Sequence, residues 1–189
     1  MILSNLEICA AIREKRFLIE PLAGNDPAQS PFNTSAVDLR LSSEIFVPKG
    51  GPAAIDLRKG GIAPFLASNS RPINSTEEQP YVLKPRTFVL ARTQERVAFP
   101  LNSNGVCYSA RVEGKSSLAR CGILVHFTAP TIHAGFEGTI TLEMINFGPM
   151  DFLLYPGMFV CQLIIEEVKG TPADAPNQFK GQSKPAGVV

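Results

Sequence analysis

The chain has 189 residues, 44% of them hydrophobic, and a formal charge of +1 at pH 7. This length and composition are typical of one soluble globular domain with a sizeable core. The near-neutral charge argues against nucleic acid or an acidic membrane surface as the main partner. No apolar run is long enough to span a bilayer, and the N-terminus lacks a signal-peptide pattern, so we expect a cytoplasmic protein.

The first predicted element is a helix. Ser4 and Glu7 form a capping box at its start, and the helical pattern ends near Lys15 or Arg16. The rest of the chain favours short strands separated by turns rich in Gly and Pro. The predicted strands are 36–41, 44–47, 105–114, 138–148 and 158–168, with two more around a turn in 86–99 and a short one among the loops of 48–64.

Many short strands and one clear helix favour a mainly β fold, either a sandwich or a barrel, over residues 1–169. The tail, residues 170–189, is rich in Pro, Gly, Gln, Lys and Ala. Alone it cannot bury enough apolar surface to fold. It is therefore either disordered or an arm that becomes ordered on a ligand or on a neighbouring subunit.

The cysteine and histidine patterns argue against a zinc enzyme. No C-x-x-C pair occurs among the four cysteines, which are predicted to be reduced and mostly buried. The letters HAG at His133 approach a zinc deaminase signature, which requires Glu two residues after the histidine and a later P-C-x-x-C. Gly135 stands at the glutamate position and P-C-x-x-C is missing. The four cysteines are Cys9, Cys107, Cys121 and Cys161.

The segment EGKSSLARCG is a candidate anion site. Ser116 is predicted to cap a short helix over 117–121, which Gly122 ends. The free N–H groups of the first turn favour an anion, and Lys115 and Arg120 add positive charge. The alternative is a solvated, capped turn without a ligand.

The segment GTITLEMIN alternates apolar and polar residues, as a strand with two different faces does. One face is predicted to carry Ile140, Leu142 and Met144, and the other to carry Thr139, Thr141 and Glu143. Glu143 either faces solvent or lines a pocket, where burial would raise its pKa and make it a useful base. His126, which precedes a turn, is interpreted as a structural histidine.

Taken together, these segments resemble a known family. The block EGKSSLARCGILVHFTAPTIHAGFEGTITLEMIN is similar to the central signature of the dCTP deaminases, which belong to the dUTPase-like superfamily. Similar segments occur in the family's order outside this block, at 33–41, 155–163 and 179–185. The resemblance therefore extends over nearly the whole chain.

The resemblance implies a distorted, jelly-roll-type β-barrel that assembles as a homotrimer, with active sites between subunits. The C-terminal arm would close over the nucleotide. The implied reaction is hydrolysis of dCTP to dUTP and ammonia, a step towards dUMP and dTTP precursors. No zinc takes part, no metal ligands are assigned to the chain, and Mg²⁺ accompanies the triphosphate.

The resemblance also implies roles for individual residues. Glu143 matches the catalytic glutamate, which takes a proton from the water that attacks C4 of cytosine. Ser116 and Arg120 match residues that hold this water and the phosphates, and the Ala129 backbone matches a contact to the base and the water. The implied substrate-binding residues are Lys115, Ser117, Thr131, His133, Phe136 near the sugar and base, Gln178, and Gln182, whose side chain would reach the phosphates.

His133 departs from the family pattern, which usually has Asp beside the deoxyribose. In family members that also cleave dUTP, this Asp positions the water that attacks the phosphate chain. A neutral imidazole is a poorer group for that task, so we expect weak dUTP diphosphatase activity or none. Gln178 and Phe179 replace the arm's usual lysine and tyrosine. Four alternatives stay open: a bifunctional deaminase–diphosphatase, a dUTP diphosphatase alone, a modified cytosine nucleotide as substrate, and a nucleotide-binding trimer with altered catalysis.

Overall fold

The structure is a computed structural model that describes residues 1–50, 54–56, 58, 61–101, 105–176 and 179–187. Its helices are α1 Asn5–Arg13, α2 Ile62–Ser68 and α3 Ser116–Arg120. Its strands are β1 Leu18–Glu20, β2 Phe32–Asn33, β3 Ala36–Arg40, β4 Glu44–Pro48, β5 Ser70–Asn74, β6 Tyr81–Leu83, β7 Phe88–Ala98, β8 Cys107–Gly114, β9 Ile123–Leu124, β10 Thr131–Ile132, β11 Glu137–Asn146, β12 Phe152–Leu154 and β13 Phe159–Val168.

Two antiparallel sheets make up most of the described chain. One has the strand order β5-β4-β7-β11-β9, with β1 also paired to β7, and the other has the order β10-β8-β13-β3-β2. Strands β6 and β12 form a small third sheet. The prediction of a mainly β fold with an N-terminal helix is confirmed. Among the described strands the sheets stay open and do not close into a complete barrel.

The prediction of two strands around a turn in 86–99 is wrong. Strand β7 is continuous for eleven residues and pairs with β11 along most of its length. The polar letters in its middle mark an irregular register, in which Thr139 pairs with Arg96 but Thr141 pairs with Arg92. The Thr93 hydroxyl accepts a hydrogen bond from the Ile140 N–H at 2.9 Å and so replaces a backbone partner there.

A buried ion pair lies beside this irregularity. Glu95 is 1% exposed, and its carboxylate accepts hydrogen bonds from the Arg40 backbone N–H at 2.8 Å and the Arg40 guanidinium at 2.6 Å. A charged residue at such depth requires a partner of this kind. The letters TQE therefore look like a turn, although they belong to the interior of a strand.

Helices α1 and α2 differ from prediction. Helix α1 begins as predicted, with Ser4 accepting a hydrogen bond from the Glu7 N–H at 3.3 Å, but it ends at Arg13. Helix α2 was missed, because its first residues belong to the segment 48–64 that was interpreted as loops and a strand. Residues 51–53, 57, 59 and 60 of that segment lie outside the described residues.

The core lies between the two large sheets and is closed at one end by aromatic residues. The ring of Phe17 is 5.5 Å from that of Phe99 and 5.2 Å from that of Tyr108, between ring centroids. Three of the four cysteines are buried and the fourth, Cys121, is partly buried, as predicted. None of the described helices has the length and apolar character that crossing a membrane requires.

The described part of the tail packs on its own chain along β11. The Gly181 N–H donates to the Glu137 carbonyl at 2.6 Å, and the Thr139 N–H donates to the Gln182 carbonyl at 3.0 Å. A Cβ atom on Gly138 would lie 2.7 Å from the Gln182 carbonyl oxygen, so only glycine allows this approach. The described part of the tail is therefore held by its own chain, and its predicted ordering on a ligand or on a neighbouring subunit stays a prediction.

Candidate active site

A cavity of about 500 Å³ opens where β11 meets the tail, helix α2 and the loops around β10. Its walls are mainly apolar, with one carboxylate, two imidazoles and a few other polar groups. This composition is typical of small-molecule sites, in which a few polar groups fix the orientation of the ligand. The apolar walls include Leu66, Phe88, Leu90, Val112, Ile132, Phe136, Ile140 and Phe179.

Glu143 is the carboxylate of this cavity. It lies on β11 opposite Leu90 and is partly buried. The sequence left open whether Glu143 faces solvent or lines a pocket, and the structure shows that it lines a pocket. Burial raises the pKa of Glu143 above its ordinary value. Hydrogen bonds from its own backbone and from the Phe127 backbone, together with His126, oppose part of that rise. A carboxyl group in this state binds a proton at a pH where an exposed glutamate has lost it.

The register change between β7 and β11 interrupts the predicted alternation. From Thr141 to Asn146, partly buried and fully buried residues alternate as expected. Ile140, predicted on the apolar face, is buried in the core together with Leu142 and Met144, and it also lines the cavity. Thr139, predicted on the polar face, is buried and binds the tail.

His126 and Thr141 supply further polar atoms. Both line the cavity, and the buried His126 Nδ1 and Thr141 Oγ1 atoms have no hydrogen-bond partner within the described chain. The His126 Nε2 atom lies 3.9 Å from a Glu113 carboxylate oxygen. Such unpaired polar atoms favour a ligand with hydrogen-bonding edges. The interpretation of His126 as a purely structural residue missed this position, although its H-x-T-A context was visible in the sequence.

A second cavity of about 400 Å³ adjoins Glu143 on its other side. It is lined by Phe88, Phe127, Thr128, Ala129 and Glu143, and the two phenylalanine rings meet edge to face at 5.8 Å. Ala129 and Glu143 line both cavities. The predicted backbone contact at Ala129 is therefore close to the carboxylate.

The structure brings several other predicted residues to the same cavity as Glu143. Thr131, His133, Phe136 and Gln182 all line it. The Gln182 side chain, however, is buried and donates from Nε2 to the Thr139 carbonyl at 2.8 Å, so here it anchors the tail. Its predicted contact to phosphate stays a prediction. Gln178 lies outside the described residues.

The residues of helix α3 do not join this cavity. Ser116, Ser117 and Arg120 are solvent-exposed, and Lys115 forms an ion pair with Asp38 instead of facing the site. The helix begins at Ser116, so Lys115 is its N-cap residue and the predicted Ser116 cap is wrong. Within one chain, the predicted catalytic residues therefore form two separate groups.

Gly122 ends α3 as predicted, directly after the C-cap residue Cys121. Its φ of 87° lies in the left-handed region, and a Cβ atom there would lie 2.5 Å from the Gly148 backbone nitrogen. Glycine is therefore required on both conformational and packing grounds.

The charges around the cavity are incomplete for a triphosphate. In the described part of its lining there is no lysine or arginine. Across residues 1–50, 54–56, 58, 61–101, 105–176 and 179–187, no three His, Cys, Asp or Glu side chains come together as a metal site. A phosphate-bearing ligand, as the resemblance implies, would have to find positive charge outside these described lining residues.

Comparison with known proteins decides the family. A family model described as dCTP deaminase-like matches residues 2–168. The chain belongs to the dCTP deaminase-like family. Similar members are the dUMP-forming dCTP deaminases of Methanosphaera stadtmanae, 37% identical with 97% of this chain and 91% of that protein covered, and Methanobrevibacter smithii, 38% identical with 93% and 84% covered. The dCTP deaminase of Haloarcula marismortui is 34% identical, with 98% and 92% covered.

The crystal structure of another dCTP deaminase supports the fold described above. The 2'-deoxycytidine 5'-triphosphate deaminase of Agrobacterium tumefaciens superposes with a TM-score of 0.66 at 19% identity, covering 88% of this chain and 47% of that chain. At this identity the likeness is evidence for the fold alone. The resemblance to the dCTP deaminase-like family, inferred from the sequence, is confirmed.

Proposed function

We propose that the protein hydrolyses the 4-amino group of dCTP, with Glu143 as the base that activates water. The observation that carries this proposal is the partly buried Glu143, with a raised pKa, at the wall of a mainly apolar cavity. The names of relatives that share about a third of its residues supply the substrate class. A cytoplasmic nucleotide pool would provide that substrate.

The proposed reaction needs no redox step. Glu143 accepts a proton from water as the water oxygen bonds to C4 of cytosine, and the protonated carboxyl then delivers the proton to the ring. Glu143 then transfers the proton of the new C4 hydroxyl to the amino nitrogen, so that cleavage of the C4–N bond releases ammonia and leaves the uracil carbonyl. A general base in such a position contributes about 100- to 10,000-fold to the rate. The His126 imidazole and the Thr141 hydroxyl would bind the edge of the base.

We propose that the reaction uses no zinc and that Mg²⁺ enters with the triphosphate. The donor set favours this, because the described chain lacks a cluster of three metal-binding side chains. Mg²⁺ is typically held by phosphate oxygens with few protein ligands. When bound, it would neutralise part of the phosphate charge. Glu143 remains the group that handles the proton.

We propose a homotrimer in which α3 of one copy completes the cavity of the next. Ser116 and Arg120 are exposed and lie outside their own chain's cavity, and that cavity lacks a cation in its described lining. The exposed Phe147 lies beside α3, since its N–H donates to the Gly122 carbonyl that follows the helix. A closed ring buries the same faces in every copy. Exposed apolar side chains on β6, β9, β12 and the turn before β12 include Val82, Leu124, Phe147, Met150 and Leu153.

The product of the proposed reaction has two candidates. His133 lines the cavity where the family usually has Asp, and this favours release of dUTP without further cleavage. The names of the dUMP-forming relatives favour the second candidate, in which dUTP is also cleaved to dUMP and pyrophosphate. We propose dUTP as the product, because a neutral imidazole is the poorer group for positioning an attacking water.

Product analysis tests this function. The protein is incubated with Mg²⁺ and either dCTP or dUTP, and nucleotides, ammonia and pyrophosphate are measured. We expect ammonia and dUTP from dCTP, with dUTP left intact. Formation of dUMP from either substrate would establish the bifunctional alternative, and His133→Asp would then show little further gain. Binding of dCTP without any product would contradict catalysis and favour the nucleotide-binding trimer.

A further inference from the structure

We propose that helix α2 is an apolar lid of the active site, in which Ile62 and Leu66 contact the nucleoside part of bound dCTP. The inference rests on the proposed function, because it takes dCTP as the ligand of the cavity. It assigns a substrate-binding role to a helix that was not predicted from the sequence. It also commits to one kind of contact, since α2 would bind the base and sugar and leave the phosphates to other residues.

One face of α2 lies against the cavity that contains Glu143. Ile62, Ala63 and Leu66 line this cavity, whereas Phe65 does not. Positions 62 and 66 are about one helical turn apart, so their side chains lie on the same side of the helix. The three α2 residues in the lining are all apolar. Helix α2 therefore presents an apolar wall to whatever fills the cavity.

Helix α2 is not part of the hydrophobic core. None of its side chains is buried, and none packs against the buried core residues of the described chain. Ile62 stays 41% exposed although it lines the cavity, and Phe65, outside the cavity, is 36% exposed. Removing apolar surface from water is favourable, so a ligand that covers Ile62 would be stabilised by that contact. The wall has apolar surface that its own chain does not cover.

The fold anchors α2 at its C-terminal end. The Asn69 N–H donates to the Phe65 carbonyl at 2.9 Å, and the Asn69 carbonyl accepts a hydrogen bond from the Lys49 N–H at 2.8 Å. Strand β5 follows directly and pairs with β4. At the other end, Gly61 has a φ of 72°, which glycine adopts without strain, and no side chain caps the helix. This arrangement allows α2 to settle onto a ligand while its C-terminal end stays on the sheet.

The chemistry of the cavity identifies the part of the ligand that α2 would contact. The buried His126 Nδ1 and Thr141 Oγ1 atoms have no partner within the described chain, so they favour a ligand with a polar edge. A nucleobase combines a hydrogen-bonding edge with an apolar face. Helix α2 has no charged side chain, which argues against a phosphate at this wall. The apolar wall therefore fits the base and sugar.

Binding measurements on alanine variants test the lid. The background is Glu143→Gln, which is expected to bind dCTP without turnover, and the test variant combines Ile62→Ala with Leu66→Ala. The matched control is Phe65→Ala, which shortens an exposed apolar side chain of the same helix outside the cavity. Alanine is the best helix former, so these changes preserve α2. Calorimetry gives the dCTP and dUTP affinities, light scattering gives the oligomeric state, and thermal midpoints report folding.

The lid predicts that the combined Ile62→Ala and Leu66→Ala variant binds both dCTP and dUTP about 10-fold more weakly than its background. Phe65→Ala is expected to bind both nucleotides as tightly as the background. Equal affinities in the combined variant and in Phe65→Ala would overturn the inference. A combined variant that loses affinity because its subunits dissociate would also overturn it, since α2 would then lie between copies.

Hydrogen exchange gives a second test that needs no change in α2. The Phe65 N–H donates to the Gly61 carbonyl, and the Asn69 N–H donates to the Phe65 carbonyl. In the Glu143→Gln protein, both N–H groups are expected to exchange several-fold more slowly with dCTP bound than without it. Unchanged exchange at saturating dCTP would overturn the lid. This result decides the question where the combined variant fails to fold.

The lid and the proposed function fail in different ways. Binding of dCTP without ammonia release by the wild type would contradict catalysis, and the lid would still be judged on affinity and hydrogen exchange. Ammonia release by the wild type, together with unchanged affinity in the combined variant, would contradict the lid alone. A wild-type protein that binds neither dCTP nor dUTP would overturn both.

Discussion

The cavity around Glu143 and the helix α3 are opposite kinds of surface. The cavity is concave and mainly apolar, and its described lining has one carboxylate and no lysine or arginine. Helix α3 is short and exposed, and Arg120 has no carboxylate within salt-bridge distance among the described residues. In the proposed function, the first surface handles a proton beside the nucleobase, and the second offers positive charge and hydroxyl groups. Binding and deamination of dCTP would need both, so neither surface would suffice alone.

Glu143→Gln gives the largest expected effect, because it removes the base from the cavity and keeps its shape. We expect ammonia release from dCTP to fall at least about 100-fold, while dCTP affinity changes little. The matched control is Glu137→Gln on the same strand, where the carboxylate pairs with Arg96 at the surface. Steady-state kinetics and calorimetric binding check both variants. Wild-type turnover in Glu143→Gln would show that the reaction does not take place in this cavity.

Arg120→Ala tests the second surface. A charge-assisted contact to phosphate contributes about 1.5–3 kcal/mol, so kcat/KM for dCTP should fall about 10- to 150-fold. The thermal midpoint should stay near that of the wild type, because the side chain is exposed. Arg13→Ala on α1 serves as a control for a lost surface arginine. Equal kcat/KM values for Arg120→Ala and wild type would show that Arg120 on α3 is not part of the active site.

The pH dependence of activity tests whether Glu143 is a base with a raised pKa. Only the ionised carboxylate accepts a proton, and burial raises the pKa of Glu143. Activity should therefore fall as the pH decreases through that raised pKa, at a higher pH than the value of about 4.3 for a free glutamate would give. A profile of kcat against pH in the acidic range measures this. A fall that begins only near the free value would contradict a desolvated base.

The same pKa shift has a consequence for stability. A raised pKa means that the folded state binds the Glu143 proton more tightly than the unfolded state. Its contribution to stability is present below the unfolded pKa and is lost as the pH rises through the folded pKa. Glu143→Gln should therefore raise the thermal midpoint at pH 8 relative to the wild type. Differential scanning calorimetry at pH 8 and at pH 5 checks the sign.

The smallest effect is expected at the contact between the tail and β4. Lys184 Nζ lies 3.0 Å from the Glu44 carboxylate, which Arg92 also binds. Burial alone would raise the pKa of Glu44, but hydrogen bonds from Lys184 and Arg92 lower it overall. Lys184→Gln should loosen the tail at a cost below about 1 kcal/mol and raise KM a few-fold.

Hydrogen exchange of residues 181–187 and KM at low and high salt check the Lys184→Gln prediction. The stabilisation from Glu44 is present above its unfolded pKa and is lost as the pH falls through its lowered folded pKa. The tail should therefore also loosen in acid. Unchanged exchange in Lys184→Gln would show that the Gln182 and Gly181 hydrogen bonds alone hold the tail.

The sequence predicted local structure correctly where a residue type or pattern is typical of a single structural setting. The alternation of β11 from Thr141 onwards placed Glu143 correctly on the polar side, and Gly122 marked the end of α3. It was misleading where polar residues are buried. Thr93 and Glu95 look like turn residues, and only the tertiary bonds to Ile140 and Arg40 show that they belong to β7.

Long-range contacts explain the remaining differences. Lys115 looks like a phosphate ligand next to Ser116, but its partner Asp38 lies 77 positions earlier in the chain. His126 lies near Glu143 only because the loop before β10 returns to β11. Helix α2, with the sequence IAPFLAS, is short, apolar on every side and interrupted by Pro64, so no 3.6-residue alternation of apolar and polar positions marked it as a helix. The positions of Lys115 and His126 depend on neighbours that local pattern does not contain.

Mixing Glu143→Gln with Arg120→Ala chains tests the central claim, that two copies build one site. At dCTP concentrations below KM, Glu143→Gln alone is expected to keep at most about a hundredth of the wild-type rate of ammonia release, and Arg120→Ala alone at most about a tenth. After unfolding and refolding together in equal amounts, about one quarter of the sites should pair an intact Glu143 with an intact Arg120 from its neighbour. We predict recovery of about that fraction of wild-type activity. Activity that stays at the level of the separate variants would contradict a site shared between copies.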